Sequence, residues 1–171
     1  DSSLAEGDSA SATDFNSFVW ADGNATASWG ANTWTARCQG GARFYSAAGV
    51  GTGVQLAAGA NAWAAISDRA VKDLLDPIDP ADILRALLTV PLYHYRLKAQ
   101  VSQAHHIGPT AQDFNPAFAF DEDPERINTL DAICVALGAL QGLAQQVADL
   151  QKRMEELERR GPQQLPHPTH R

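Results

Sequence analysis

Ser67 and Lys72 bracket the run Ser67-Asp68-Arg69-Ala70-Val71-Lys72. A serine hydroxyl is a weak nucleophile until a base takes its proton. Lysine can be that base only as the neutral amine. With a reference pKa of about 10.4, a lysine in water is almost always charged at neutral pH, and withdrawal from water favours the neutral form. The pair therefore calls for a closed site. Ala70, Val71 and an interface between several chains are the apolar material at hand. The same spacing is also what a helix cap followed by an exposed lysine produces, so alone it decides nothing. Other chemistries are poorly served. There is no Gly-x-Ser-x-Gly turn. His94, His105, His106, His167 and His170 show no recognised metal-ligand spacing, and Cys38 and Cys134 form no CxxC pair. The cysteines read as buried, reduced thiols. No metal and no cofactor is expected.

The elements that must position the pair fall into zones. Residues 1–13, rich in Ser, Ala, Asp and Gly, read as a flexible lead-in. Residues 14–66 hold Trp20, Trp29, Trp34 and Trp63 and most of the glycines. Short alternating stretches at Phe18–Trp20, Trp34–Cys38, Arg43–Tyr45 and Gly53–Leu56 are separated by turn signals such as Asp22-Gly23-Asn24 and Gly59-Ala60-Asn61, which predicts all-β structure. No stretch is long and strongly apolar. Three chains wrapped together would bury more than one, so an intertwined β-stalk fits better than a monomeric sandwich.

Residues 67–130 mix α and β as a small head. Asp79 caps a helix with Pro80 at its first position and Asp82 in its first turn. Ile83, Leu84, Leu87 and Leu88 give it an apolar face, and Thr89-Val90-Pro91 ends it. Leu92–Leu97 alternates as a strand, Ile107 begins a second extended piece, and Pro109–Phe114 turns into a short helix. Residues 131–160 belong to a long helix that starts near Leu130. Ile133, Ala136, Leu140, Leu143, Val147, Leu150, Met154 and Leu157 follow a strict alternation of three and four, an a/d seam that predicts a coiled coil. The alternative is an amphipathic helix packed on its own domain. Gly161-Pro162 stops it, and residues 161–171 read as a disordered tail. The fold class is thus α+β and trimeric: an N-terminal intertwined β-stalk segment, a small α/β head and a C-terminal trimeric coiled-coil helix.

The chain has 171 residues and a formal net charge of −7. That balance argues against nucleic acid or an anionic membrane as the main partner. No apolar run of about 18 residues is evident, so no membrane span is expected. The chain starts at Asp1 and reads as the C-terminal fragment of a longer protein.

Three blocks in order resemble one family. Ser67–Lys72 resembles the opening motif of the S74 peptidases, the intramolecular chaperone domains of endosialidase tailspikes, phage tail fibres and the myelin regulatory factor. His106-Ile107-Gly108-Pro109-Thr110-Ala111-Gln112-Asp113-Phe114 resembles the family's second signature. Asn128-Thr129-Leu130-Asp131, followed by Val135-Ala136-Leu137 and Leu140-Gln141-Gly142-Leu143, is similar to the entry into its C-terminal helix. The resemblance spans Ser67 to Leu157. It departs at Ile133-Cys134, where Asp-Gly is common and the helix is expected to begin a turn earlier, and at Thr110, where a larger apolar residue is usual.

The resemblance implies that Ser67 and Lys72 form a catalytic dyad cutting the Ile66–Ser67 bond in cis, once, to give residues 1–66 and 67–171. It implies His106 as a candidate oxyanion donor, with a surface histidine as the alternative. Asp68 and Arg69 would form an ion pair across subunits or hold the loop. The partners implied are two further copies of the chain and its own upstream fibre, in a phage virion or prophage-encoded in a bacterial cytoplasm, with the chaperone released after cleavage. Two other readings stay open. One is a non-cleaving trimerisation module. The other is an adhesin whose tryptophan-rich β-zone binds glycan.

Overall fold

The computed structural model describes residues 2–120 and 123–161. The C-terminal tail expectation therefore falls outside it beyond Gly161. The chain is α+β and divides into two compact units, Asp1–Leu74 and Leu75–Arg171. The division lies past Lys72, so the Ser67–Lys72 run closes the first unit rather than opening the second.

The first unit contains β1 (Leu4–Ser11), β2 (Phe18–Ala27), β3 (Trp34–Ala36), β4 (Gly41–Tyr45), β5 (Gly53–Ala57) and β6 (Ala64–Ala65). The expected flexible lead-in is instead β1. It gains order by pairing with β2, with Leu4 opposite Phe18 and Glu6 opposite Trp20. β2 pairs with β3 in the same manner, Phe18 opposite Trp34. Both pairings are parallel, although parallel strands ordinarily need a long crossover. Here residues 12–17 and 28–33 suffice because the chain winds as a coil and each turn lays one strand on the last. Asn16 and Asn32 both take positive φ, 54° and 58°, and their side chains stack, Nδ2 of Asn16 donating to Oδ1 of Asn32 at 3.3 Å. Gly7 is needed where the coil is tightest. Its φ is +87°, and a Cβ there would stand 2.1 Å from the carbonyl oxygen of Ala21. Val19, Ala21 and Ser17 point inward and are buried. β4, β5 and β6 form a separate antiparallel sheet.

The second unit contains α1 (Pro80–Leu87), β7 (Tyr93–Tyr95), β8 (His106–Gly108), α2 (Ala111–Ala117) and α3 (Thr129–Arg160). Each helix starts as its sequence dictates. Oδ1 of Asp79 accepts from Ala81 N at 2.8 Å, and Oδ1 of Asn128 accepts from Leu130 N at 2.9 Å. Thr110, the departure in the second signature, is the cap of α2. Its Oγ1 accepts from Asp113 N at 3.2 Å and donates to Oδ2 of Asp113 at 2.7 Å, a reciprocal arrangement of the capping-box kind. The core gathers Val90, Phe114 and Val135, with Ile83, Leu87 and Phe118 against them. Buried Asn115 donates to the carbonyls of Asp123 (2.7 Å) and Arg126 (3.0 Å) and so ties the connection into α3.

α1 packs on α3 through small residues. Gly142 admits the backbone of Pro80 so closely that a Cβ would lie 2.3 Å from its carbonyl oxygen. Val135, Gly138, Ala139 and Gly142 form this buried face. The heptad seam lies roughly 110° around the helix from it. α3 therefore carries two apolar faces, one satisfied by its own unit and one open.

Two expectations fail here, the apolar face of α1 at Leu88 and the buried cysteines. Leu88 caps α1 and is exposed rather than part of its apolar face. Cys134 is exposed and Cys38 half-buried, so neither is a core thiol. α3 is long enough, and over an 18-residue window apolar enough (mean hydropathy 1.3), to cross a membrane by length and composition. The same helix carries Gln141, Gln145 and Gln146, all exposed.

Candidate active site at Ser67 and Lys72

Ser67 follows directly on the antiparallel sheet. β6 ends at Ala65, and the next residue, Ile66, donates its N–H to the carbonyl of Gly53 at 3.0 Å. The amino-terminal side of the Ile66–Ser67 bond is thereby pinned to β5. Gly53 permits the close strand approach there, because a Cβ would stand 2.1 Å from the carbonyl oxygen of Phe44.

The chain then reverses in one 3-10 turn, Arg69–Val71. Asp68 starts it. Its Oδ1 accepts from Ala70 N at 2.9 Å, and Lys72 N donates to the carbonyl of Arg69 at 3.3 Å. Val71 leans on Gly51, its Cγ1 placed 3.4 Å from where a Cβ would stand. The result brings Nζ of Lys72 to 2.7 Å from Oγ of Ser67. That is the reach a nucleophile and its base require.

The surroundings are not those expected. Ser67, Ala70, Val71 and Lys72 are all exposed in the single chain, so Ala70 and Val71 do not close the site. Neither Ile66 nor Ser67 takes positive φ, so the backbone dihedrals give no support to the strained turn expected at Ile66–Ser67. Of the two roles foreseen for Asp68 and Arg69, the loop-holding one belongs to Asp68. Arg69 has no ion pair among the described residues.

His106 lies in the second unit, on β8. Its Nε2 is 2.9 Å from Oε1 of Gln100, and its ring lies 5.3 Å from that of Tyr95. His105 is exposed and His94 sits on β7. On the same hairpin, the Tyr93 hydroxyl is raised above its ordinary pKa by desolvation and then by the Asp113 carboxylate to which it is hydrogen-bonded. That contact joins β7 to α2 within the second signature. No group of three or more metal-ligating side chains is present among the described residues.

The open seam is plain in the burial. Val147 is 46% exposed and Leu157 67% exposed, and Ile133, Ala136, Leu140, Leu143, Leu150 and Met154 are exposed as well. One feature escaped the sequence reading, the coil repeat, whose signal is Asn16-Ser17-Phe18 against Asn32-Thr33-Trp34.

No curated protein matches the chain. The model of one family, Peptidase_S74, described as chaperone of endosialidase, matches residues 67–122, beginning at Ser67 itself. Residues 67–122 are thus similar to the Peptidase_S74 family, and Lys72 is held against Ser67 at the start of that match.

Proposed function

We propose that this chain is a C-terminal intramolecular chaperone that trimerises and registers a tail-fibre or tailspike-like protein, then releases itself by cutting Ile66–Ser67. The family supports a fibre-chaperone role and a self-cleaving serine peptidase. The observation that carries the finer reading is the 2.7 Å contact between Nζ of Lys72 and Oγ of Ser67.

The chemistry runs once per chain. Neutral Lys72 takes the hydroxyl proton as Oγ of Ser67 attacks the Ile66 carbonyl carbon. Backbone or side-chain donors must stabilise the oxyanion that forms. Collapse breaks the Ile66–Ser67 C–N bond, and the Lys72 ammonium returns its proton to the departing Ser67 amine. The Ile66 acyl group is then an ester on Oγ. Water hydrolyses it to a carboxylate and restores the hydroxyl. The product chaperone begins at Ser67 with a free amine.

Exposure of the pair in one chain fits gating by assembly. An ammonium can donate to a serine but cannot take its proton, and withdrawal from water favours the amine. The open seam of α3 supplies the reason for copies to meet. Its a/d spacing suits a coiled coil. Alignment at the C-terminal end would set register for β-pairings that are non-local and slow to form. Removal of the chaperone afterwards would leave the fibre kinetically trapped.

Intact mass and N-terminal sequencing of the wild-type chain and of Ser67→Ala test this. The wild type should yield residues 1–66 and 67–171 with Ser67 as a new N-terminus, and Ser67→Ala only the whole chain. An uncut wild-type trimer would make the protein a non-cleaving trimerisation module instead.

A further inference from the structure

We propose that the end of the β4–β5 hairpin, at Gly51 and Gly53, positions the chain for the cut by holding it on both sides of Ser67. This rests on the self-cleaving reading above. Both glycines lie outside the residues that match the family.

The hairpin grips the chain at two points. Ahead of the bond, the Gly53 carbonyl accepts the Ile66 N–H at 3.0 Å. Behind it, Val71 fills the place of the side chain that Gly51 lacks, with Cγ1 3.4 Å from where a Cβ would stand. Ile66 carries the carbonyl to be attacked, and Val71 immediately precedes Lys72. One short piece of backbone thus sets the acyl group and the proposed base relative to each other. The hairpin end is itself clasped. Ser46 N donates to the Thr52 carbonyl at 3.2 Å, and the Ser46 and Thr52 hydroxyls lie 3.4 Å apart.

The dyad needs such a support. Arg69–Val71 is a single 3-10 turn with no buried residue, so it has no core of its own to fix Lys72. A misplacement of about 1 Å at a reacting centre can cost about 10²-fold in rate. The two glycines serve in different ways. Gly53 takes a φ of +153°, which side chains rarely adopt. Gly51 is not among the positive-φ glycines. Among the described residues, Val71 is the one non-neighbouring group within 4 Å of its Cβ position. A side chain at 51 would therefore displace Val71 and little else. The cut would leave this support on residues 1–66 and the dyad on residues 67–171.

The test follows the rate of cleavage of the full chain by intact mass, with assembly checked by light scattering. Gly51→Leu should slow cleavage by roughly 10- to 100-fold. Adding Val71→Ala makes room and should bring the rate back to within a few-fold of wild type, a rescue that a general loss of stability would not give. Gly49→Leu lies in the same loop with nothing within 4 Å of its Cβ position, and should cut at the wild-type rate. An assembled Gly51→Leu chain that cuts like wild type overturns the proposal. So does slowing that Val71→Ala leaves in place, or that Gly49→Leu shares. If Gly51→Leu does not assemble, Val71→Ala alone decides: slowing by several-fold in an assembled chain supports the proposal, and an unchanged rate overturns it. A wild type that does not cut overturns the self-cleaving reading and this support with it.

Discussion

Nζ of Lys72 donates to Oγ of Ser67 at 2.7 Å across a turn whose first hydrogen bond is made by Asp68. The proposed nucleophile and base are thus five residues apart in sequence and in contact in space, with one turn responsible. Their contact is local, and both side chains are exposed in the single chain.

That separation makes Lys72 the sharpest probe. Lys72→Ala should abolish cleavage, and Lys72→Arg should abolish it equally, because a guanidinium stays protonated and cannot act as base. Loss of a general base costs about 10²- to 10⁴-fold in rate. Intact mass after prolonged incubation reads the outcome. Cleavage retained in Lys72→Arg would mean that the lysine holds the serine without taking its proton.

Asp68 touches the turn rather than the Ser67–Lys72 contact, its Oδ1 accepting from Ala70 N. Asp68→Ala removes the acceptor for Ala70 N, a loss of the capping kind worth about 0.5–2 kcal/mol. Cleavage should slow by roughly two- to thirtyfold if that cost falls on forming the contact. Asp68→Asn keeps an acceptor oxygen and should cleave near the wild-type rate. Equal defects in both variants would point to the charge, and so to an ion pair between subunits.

The seam can be broken far from the dyad. Leu143→Asp with Val147→Asp places two carboxylates on the open face of α3 and leaves Val135, Gly138, Ala139 and Gly142 packed on α1. The expected chain is a folded monomer that does not cut. Light scattering and circular dichroism establish the state, and intact mass reads the cleavage. A monomer that still cuts would show the dyad to be independent of assembly.

Acid should loosen the entry to α3. The Asp123 carboxyl is held below its ordinary value of 3.8, first by the Glu125 backbone N–H and then by the Arg126 side chain. A depressed carboxyl contributes stability that is present above its unfolded pKa and lost as pH falls through the folded one. Thermal unfolding followed from pH 5 downward should therefore show a decline that Asp123→Asn flattens. An unchanged acid limb in the variant would remove Asp123 from the account.

Much of the head was legible because its signals are local. Asp79 is legible as the cap of α1 from Pro80 and Asp82 beside it, whereas Thr110 and Asn128, which cap α2 and α3, were not read as caps. The seam from Ile133 to Leu157 is likewise a matter of spacing. The β-unit was less legible. Strand positions could be read from alternation, but not that Leu4 would pair parallel with Phe18 and Phe18 with Trp34, since register is decided by partners distant in sequence.

What the sequence by itself determined is the chemistry on offer. It supplied a serine and a lysine in one short run, helix starts at capped positions and a heptad stripe on a terminal helix, all properties of neighbours along the chain. Only the tertiary structure decided that Ile66 is pinned to Gly53 and that Asp68 turns Lys72 back onto Ser67. It alone showed that α1 takes one face of α3 and leaves the seam open, and that Ser67 and Lys72 are exposed. Burial and contact depend on which surfaces meet, and those are fixed only when the chain has folded onto itself.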